Sequence, residues 1–248
     1  MTDVRDMAMG HATVACAPLY GNSKNISFII PENKTQVICT ASNKYLIKDL
    51  SPVCVAVSKS FNNNFAIITG IGRIGNNSFS ENFIEAGIAK KLGQTFYAGI
   101  KIQYHQWILN DSYYQNSHAF IPSIGLFSNP LKNLFFGVVI RNPVRSRMNA
   151  IEKNKLPAEI NPGISVKVSD KVLVALSVTQ QSNLSLSTQF GLEYLFHPKL
   201  FFRVGCHTVP ASESFGFGLK MKKINLDIAL ETHPILGNSS AIALIFLL

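Results

Sequence analysis

The stretch SFGFGLKMKKINLDIALE, residues Ser214–Glu231, contains the pattern that decides the fold. Apolar residues stand at every second position, first over Phe215–Met221 and then over Ile224–Leu230. The positions between them are mostly small, polar or charged. Successive side chains of a β-strand point to opposite faces, so this alternation predicts two strands, each with one apolar and one polar face. The residues Lys222-Lys223 between them predict a tight turn.

The same alternation recurs from about Thr35 to the end of the chain, for example over Phe96–His105 and Thr188–Phe196. Turn residues separate the alternating segments, and counting these segments predicts about 14 strands. Residues before Thr35 do not alternate. We therefore predict an N-terminal plug segment over residues 1–34 and a barrel domain over residues 35–248.

The composition indicates that much of the surface does not face water. Hydrophobic residues make up 47% of the chain and charged residues only 15%, whereas soluble domains carry about 25% charged residues. No apolar run approaches the roughly 20 residues of a membrane-spanning helix. A closed barrel is the other structure that satisfies every backbone group in lipid. The predicted fold class is all-β, a closed up-and-down antiparallel transmembrane β-barrel whose lumen the N-terminal segment plugs.

The polar faces of the predicted strands point into the lumen, and the charges on them are the candidate functional residues. Buried charges in a barrel need partners or water, so they form either a lattice of salt bridges or a polar path and dock for the plug. Aromatic residues near strand ends, among them Tyr97, Phe135 and Phe201, are predicted to form girdles at the membrane interfaces. The lumen candidates are Glu85, Lys101, Arg141, Lys167, Glu193, Arg203, Lys220, Asp227 and Glu231.

The sequence offers no motif for catalysis, metal binding or a cofactor. No HExxH, GxSxG or phosphate-binding loop is present, and the six histidines are scattered. Cys206 and His207 are adjacent and would face opposite sides of a strand, which disfavours joint metal ligation. The net charge of +9 comes without a Lys/Arg-rich run, so no nucleic-acid partner is expected. We expect no enzyme activity.

Several motifs, taken in order, resemble the PorV/PorQ-like barrels, which are related to FadL. The stretch Arg5–Ala15 resembles the mature N-terminus of these barrels, although His11 stands where glycine is usual. Ile140-Arg141-Asn142-Pro143 is similar to the end of one of their strands. Phe215–Lys220, followed by Leu226–Ala229 and His233–Gly237, resembles their C-terminal ending.

The resemblance implies an outer-membrane barrel with an N-terminal plug and one of two functions. The first is that of an accessory subunit of an outer-membrane secretion or assembly complex, similar to type IX secretion. The second is that of a FadL-like transporter of hydrophobic small molecules. The expected partners are outer-membrane lipid or lipopolysaccharide and other outer-membrane or periplasmic proteins. A signal peptide is not visible and is expected to have been removed. A soluble β-sandwich or carbohydrate-binding module is the remaining alternative.

Overall fold

Fourteen antiparallel strands form the wall of a closed barrel. The structure, a computed structural model, describes residues 3–17, 24–27, 35–61, 64–110, 116–148 and 155–248. The strands are β1 (Thr35–Asn43), β2 (Val53–Phe61), β3 (Phe65–Gly75), β4 (Phe79–Lys91), β5 (Phe96–Leu109), β6 (Ser117–Leu131), β7 (Leu134–Arg141), β8 (Glu159–Ser169), β9 (Val172–Gln181), β10 (Ser187–His197), β11 (Leu200–Thr208), β12 (Ala211–Lys220), β13 (Ile224–His233) and β14 (Gly237–Leu247).

Each strand pairs with its neighbours in sequence, and β1 pairs with β14 to close the wall. The closing register runs from Gln36 opposite Leu247 to Asn43 opposite Ser240. Beyond it, the N–H of Leu248 donates to the carbonyl of Thr35 at 2.9 Å. Closure leaves no unpaired strand edge, which a barrel in lipid requires. The predicted up-and-down barrel of 14 strands is confirmed.

The side chains of the wall alternate as the sequence predicts, with the apolar set outside. On β12, Phe215 and Phe217 face outward and are 49% and 51% exposed, while Gly216 and Gly218 face the lumen. On β2 every second residue from Val53 is exposed, and the residues between them are buried. An exposed apolar belt of this extent is unfavourable in water and matches the hydrocarbon core of a membrane.

The connections divide the barrel into two ends. At the short-turn end, strands are joined by residues 62–64, 92–95, 132–133, 170–171, 198–199 and 221–223. The loop end carries three longer connections, 44–52, 110–116 and 142–158, and four short ones, 76–78, 182–186, 209–210 and 234–236. The turn and polar residues of Arg73–Ser78, His207–Glu213 and His233–Asn238 predict looser loops, but half or more of each range is strand, because strand pairing continues into it from both sides. The two ends therefore differ less in loop length than predicted.

The N-terminal segment, residues 3–17, lies inside the barrel. It contains the helix α1 (Val4–Ala8) and a 3₁₀ turn at Thr13–Ala15. The carboxylate of Asp3 caps α1 by accepting the Asp6 N–H at 3.2 Å. Gly10 and His11 end it in the left-handed region, at φ of 58° and 65°. Residues 18–23 and 28–34 of the predicted plug lie outside the described residues.

Other short helical turns are Lys44–Leu46 and Lys48–Leu50, in the first loop-end connection. In the part of the chain that the structure describes, no helix has the length and apolar character needed to cross a membrane.

Glycines of the wall let the N-terminal segment lie directly against the strand backbones. A Cβ added at Gly191 would come within 2.6 Å of the Met9 carbonyl oxygen, and one at Gly137 within 2.7 Å of the Val14 carbonyl carbon. Residues 25–26 meet the wall in the same way. Such short contacts are unattainable for any other residue type without a shift. This glycine belt consists of Gly87, Gly99, Gly125, Gly137, Gly163, Gly191, Gly205 and Gly216.

Four aromatic residues assigned to the interface girdles point inward instead, namely Tyr97, Trp107, Phe135 and Phe201. Phe135 and Phe201 are 6% and 7% exposed and share the inward parity of their strands. Phe135 packs with Phe127, and Ala17 and Tyr97 lie against them. These rings give the lumen an apolar wall near the short-turn end. The prediction was wrong for them because closeness to a strand end does not decide which face a side chain occupies.

Candidate functional site

A buried ionic network joins the N-terminal segment to the barrel wall. The guanidinium of Arg5 donates two hydrogen bonds to the carboxylate of Glu193, from Nε to Oε2 at 2.9 Å and from Nη2 to Oε1 at 2.8 Å. Its Nη1 donates to the carbonyl of Ala17 at 3.0 Å, which folds the segment back on itself. Burial alone would lower the pKa of Arg5, but the Glu193 carboxylate raises that pKa above its usual value. Arg5 is therefore a permanent cation in the lumen.

The network continues along the wall through β11 and β13. Arg203 donates from Nε to Oε2 of Glu193 at 2.7 Å and from Nη1 to Oδ1 of Asp227. Two arginines thus balance two carboxylates, and all four are buried. Removing one member of a buried charged set costs far more than removing a surface pair, because the partner is left uncompensated. The network therefore holds the N-terminal segment at one depth in the lumen.

A second cluster holds the segment nearer the loop end. Asp6 accepts hydrogen bonds from the Thr13 N–H at 3.1 Å and lies 3.1 Å from the Lys24 ammonium. Its Oδ2 lies 3.0 Å from Nδ1 of His11, whose Nε2 lies 2.9 Å from Oε2 of Glu231 on β13. The ring of His207 on β11 lies beside His11, with centroids 5.4 Å apart.

The electrostatics of this cluster follow from its contacts. Burial alone would raise the pKa of Asp6, but Lys24, His11 and Thr13 together hold it well below its usual range. Burial alone would lower the pKa of His11, but its hydrogen bonds to the Asp6 and Glu231 carboxylates raise it to about 9. The imidazole of His11 therefore lies in a site built for a positive charge.

A third charged group lies on β4 and β5. The Lys101 ammonium is 3.3 Å from Oε2 of Glu85, and Gln103 donates to the same oxygen at 2.8 Å. Glu85 is fully buried. Because Glu85, Lys101 and Gln103 all lie on β4 and β5, their contacts stiffen the barrel wall on the side opposite β12.

Cavities lie on both sides of the N-terminal segment. The loop-end cavity has a volume of about 370 Å³ and reaches Asp6, His11 and His207. The short-turn-end cavity has a volume of about 280 Å³ and reaches Arg5 and Glu193. A smaller cavity of about 250 Å³ lies between Glu231 and the start of the first loop-end connection. The segment thus separates two spaces that face opposite ends of the barrel.

The structure places the nine lumen candidates on the inner face, in four sets. Glu193, Arg203 and Asp227 form the network with Arg5, whereas Glu85 and Lys101 pair with each other. Glu231 meets His11. The remaining three line the cavities: Arg141 the loop-end cavity, and Lys167 and Lys220 the short-turn-end cavity.

The residues that the sequence did not single out are those of the N-terminal segment. Arg5, Asp6 and His11 supply the partners of the wall charges, and Lys24 supports them. A segment without a periodic pattern carries no signal for which side chains face which strand. Arg5 is flanked by Asp3 and Asp6 in the sequence, so the sequence gives no sign that it pairs with Glu193 on the wall.

Comparison with protein-family models gives no match, and comparison with the sequences of curated proteins gives none. Solved structures, in contrast, match over nearly the whole chain. The toluene transporter TbuX of Ralstonia pickettii is 12% identical, with a TM-score of 0.71 over 99% of this chain and 97% of that one. CymD, a monoaromatic hydrocarbon channel, is 13% identical, with a TM-score of 0.70 over 98% and 95%.

A FadL homologue of Pseudomonas aeruginosa is 9% identical, with a TM-score of 0.63 over 99% of this chain and 97% of that one. At such identities the similarity shows the fold alone. TbuX is described as a transporter and CymD as a channel, and the finer resemblance to PorV and PorQ is not confirmed. This chain has the fold of FadL-type outer-membrane barrels.

Proposed function

We propose that this protein is a non-enzymatic outer-membrane barrel that lets small hydrophobic molecules pass through its lumen. The observation that carries the proposal is the N-terminal segment itself, which separates the loop-end cavity from the short-turn-end cavity. A single removable piece of chain thus closes the path. The similar solved structures, described as transporters or channels, support a transport function over an enzymatic one.

The outward apolar belt supports a place in the outer membrane, in contact with lipid or lipopolysaccharide. Ile228 on β13 and Ile242 on β14 are both 44% exposed on the outer face, in the middle of their strands. Side chains of this kind are stable where hydrocarbon surrounds them.

The lining of the cavities favours molecules with an apolar body and a polar edge. The loop-end cavity is mostly polar, with Arg141 and Gln103 among its lining residues. The short-turn-end cavity has Leu173 and Phe201 on its wall, beside Lys167. Apolar pockets with a few polar groups are typical of sites for small molecules. A purely apolar hydrocarbon would find its favourable contacts only in the short-turn-end cavity, where Leu173 and Phe201 line the wall.

The other function expected from the sequence, that of an accessory subunit of a secretion complex, has less support. The similar solved structures are described as transporters or channels. Partner proteins in the outer membrane or periplasm remain part of this second hypothesis. Co-purification with such a partner, together with no uptake, would favour it.

The test measures entry of phenylnaphthylamine, a hydrophobic dye that fluoresces in membranes and that an intact outer membrane excludes. We expect cells with the protein in their outer membrane to take up the dye faster than cells without it. Arg5→Met should increase uptake further, because it loosens the plug. Arg73→Met, which removes an exposed charge from β3, is the matched control and should leave uptake unchanged. No uptake above background for either the wild type or Arg5→Met contradicts the proposal.

A further inference from the structure

Three possible metal ligands from distant parts of the chain meet at the loop end. His11 comes from the N-terminal segment, His207 from β11 and Glu231 from β13, and one ligand atom of each lies within 4.8 Å of the others. Two ligands bound to one ion at about 2.1 Å each in a tetrahedral site are separated by about 3.4 Å. The 2.9 Å between Nε2 of His11 and Oε2 of Glu231 is a hydrogen-bond distance, so the two groups would move apart by about 0.5 Å to bind one ion.

The other side of His11 is arranged as metal-ligating histidines usually are. Its Nδ1 lies 3.0 Å from the carboxylate of Asp6, which fixes the ring and leaves Nε2 toward Glu231. Asp6 is itself held by Thr13 and Lys24. Carboxylate–histidine–metal triads of this form orient the ligand and increase its basicity.

The wall around the cluster contains buried polar atoms that have no hydrogen-bond partner among the described residues. Nδ1 of His207 is one of them, and the hydroxyls of Ser212 and Ser214 on β12 are two more. Ser212 is directly opposite His207 and Ser214 directly opposite Glu231, and the two serines are 5% and 1% exposed. Buried polar groups are rarely left without partners. An ion with its bound water would supply partners at this position.

The cluster also has an open side. His11 and His207 both line the loop-end cavity, so an ion can enter from that end and keep a coordination position for water. The backbone supports a specific role for His11, because it occupies the left-handed region at φ of 65°, where most residues other than glycine are strained.

We propose that His11, His207 and Glu231 bind one divalent transition-metal ion of the Zn²⁺ class and thereby fasten the N-terminal segment to β11 and β13. Two imidazoles and one carboxylate suit Zn²⁺, Ni²⁺ and Cu²⁺ better than Mg²⁺ or Ca²⁺. The site does not depend on what the barrel transports.

Isothermal titration of ZnCl₂ into the tag-free full chain in detergent, after treatment with EDTA, tests the site. We expect one ion per chain for the wild type. His207→Ala and Glu231→Gln should weaken binding at least tenfold, because each removes a ligand. His197→Ala is the matched control, because His197 lies on β10 at the short-turn end. This variant should bind Zn²⁺ as the wild type does. Binding that is absent in the wild type, or undiminished in both ligand variants, overturns the proposal.

A second measurement needs no ligand variant. Cys16 in the N-terminal segment is fully buried and free, so a maleimide reacts with it only when the segment leaves the wall. In a background with Cys39, Cys54 and Cys206 replaced by alanine, Zn²⁺ at about 100 times its Kd should slow this reaction about 100-fold relative to EDTA. Equal rates with Zn²⁺ and with EDTA overturn the proposed fastening.

Discussion

Arg5→Met should release the N-terminal segment from the lumen without unfolding the barrel. The change removes both hydrogen bonds from the Arg5 guanidinium to Glu193, at 2.9 and 2.8 Å, and the bond to the Ala17 carbonyl. Methionine keeps a similar apolar stem but carries no charge. The wall network keeps Arg203, so Glu193 is not left without a cation.

The magnitude follows from the balance of charges. In the wild type, Arg5 and Arg203 balance Glu193 and Asp227, and the substitution leaves this buried set with one uncompensated negative charge. Breaking a buried pair costs about 3–5 kcal/mol. Because Arg203 still compensates Glu193, we take the lower end, about 3 kcal/mol, which raises the equilibrium constant for opening about 150-fold.

The assay is the rate of maleimide labelling of Cys16 in the background without the other three cysteines. In the closed state the thiol is buried, and burial raises its pKa to about 12, so reaction requires opening. When closing is faster than labelling, the rate is proportional to the population of the open state. We expect the labelling rate to increase from the wild type to Arg5→Lys and again to Arg5→Met. Lysine keeps the positive charge but cannot form both hydrogen bonds that the guanidinium makes to Glu193.

The result that would refute this reasoning is a rate for Arg5→Met within a factor of about two of the wild type, in a barrel that remains folded. Folding is checked by the mobility shift that folded barrels show on gels before and after heating. Arg73→Met serves as the control, because it removes a guanidinium that is exposed on β3. A similar increase in labelling rate for Arg73→Met would show that the effect comes from the change in net charge and not from the lost contact between Arg5 and Glu193.

Two further predictions concern the wall. Gly137→Ala places a methyl group against the Val14 backbone, and such overpacking costs about 1–3 kcal/mol, so Cys16 labelling should rise about 5- to 150-fold. Gly93→Ala, where a Cβ meets nothing within 4 Å, should leave the labelling rate unchanged. Equal effects of the two substitutions would contradict the inference that Gly137 is needed for close contact with the Val14 backbone. Ile228→Lys should lower the free energy of unfolding in lipid vesicles by about 2–4 kcal/mol, as charges do on the lipid face near the membrane centre. Ile235→Lys, in an 86% exposed loop position, should change it little, and a barrel indifferent to both would not have the predicted lipid-facing belt.

The barrel could be predicted from the sequence because apolar outward-facing residues and small or polar inward-facing residues alternate along each strand. In some strands the alternation also continues beyond the end that the sequence predicts. For β12, Ser214–Met221 was predicted and Ala211–Lys220 is observed, since Ser212 still faces inward. Polar residues near a turn were interpreted as loop, although in a lumen they belong to the strand.

The candidate site was predictable only on its wall side. Glu193, Arg203 and Asp227 follow from parity, but their meeting with Arg5 does not, because the N-terminal segment has no repeat that fixes its register. His11 and Glu231 are 220 positions apart, a separation that no local ligand spacing describes. Inward-facing Phe135 was missed for a related reason, since membership of a girdle was judged from its place along the strand and not from its parity.

The docking of α1 has a consequence for the order in which the molecule is assembled. The helix precedes all fourteen strands in the sequence, yet its apolar bed is formed by Ala229 on β13, by Ala241, Ala243 and Ile245 on β14, and by Ile38 on β1. These are the strands on either side of the join that closes the wall. An intermediate that lacks β14 has neither a sealed wall nor a complete seat for α1. The apolar bed of α1 is therefore complete only when β14 has paired with β1 and closed the wall.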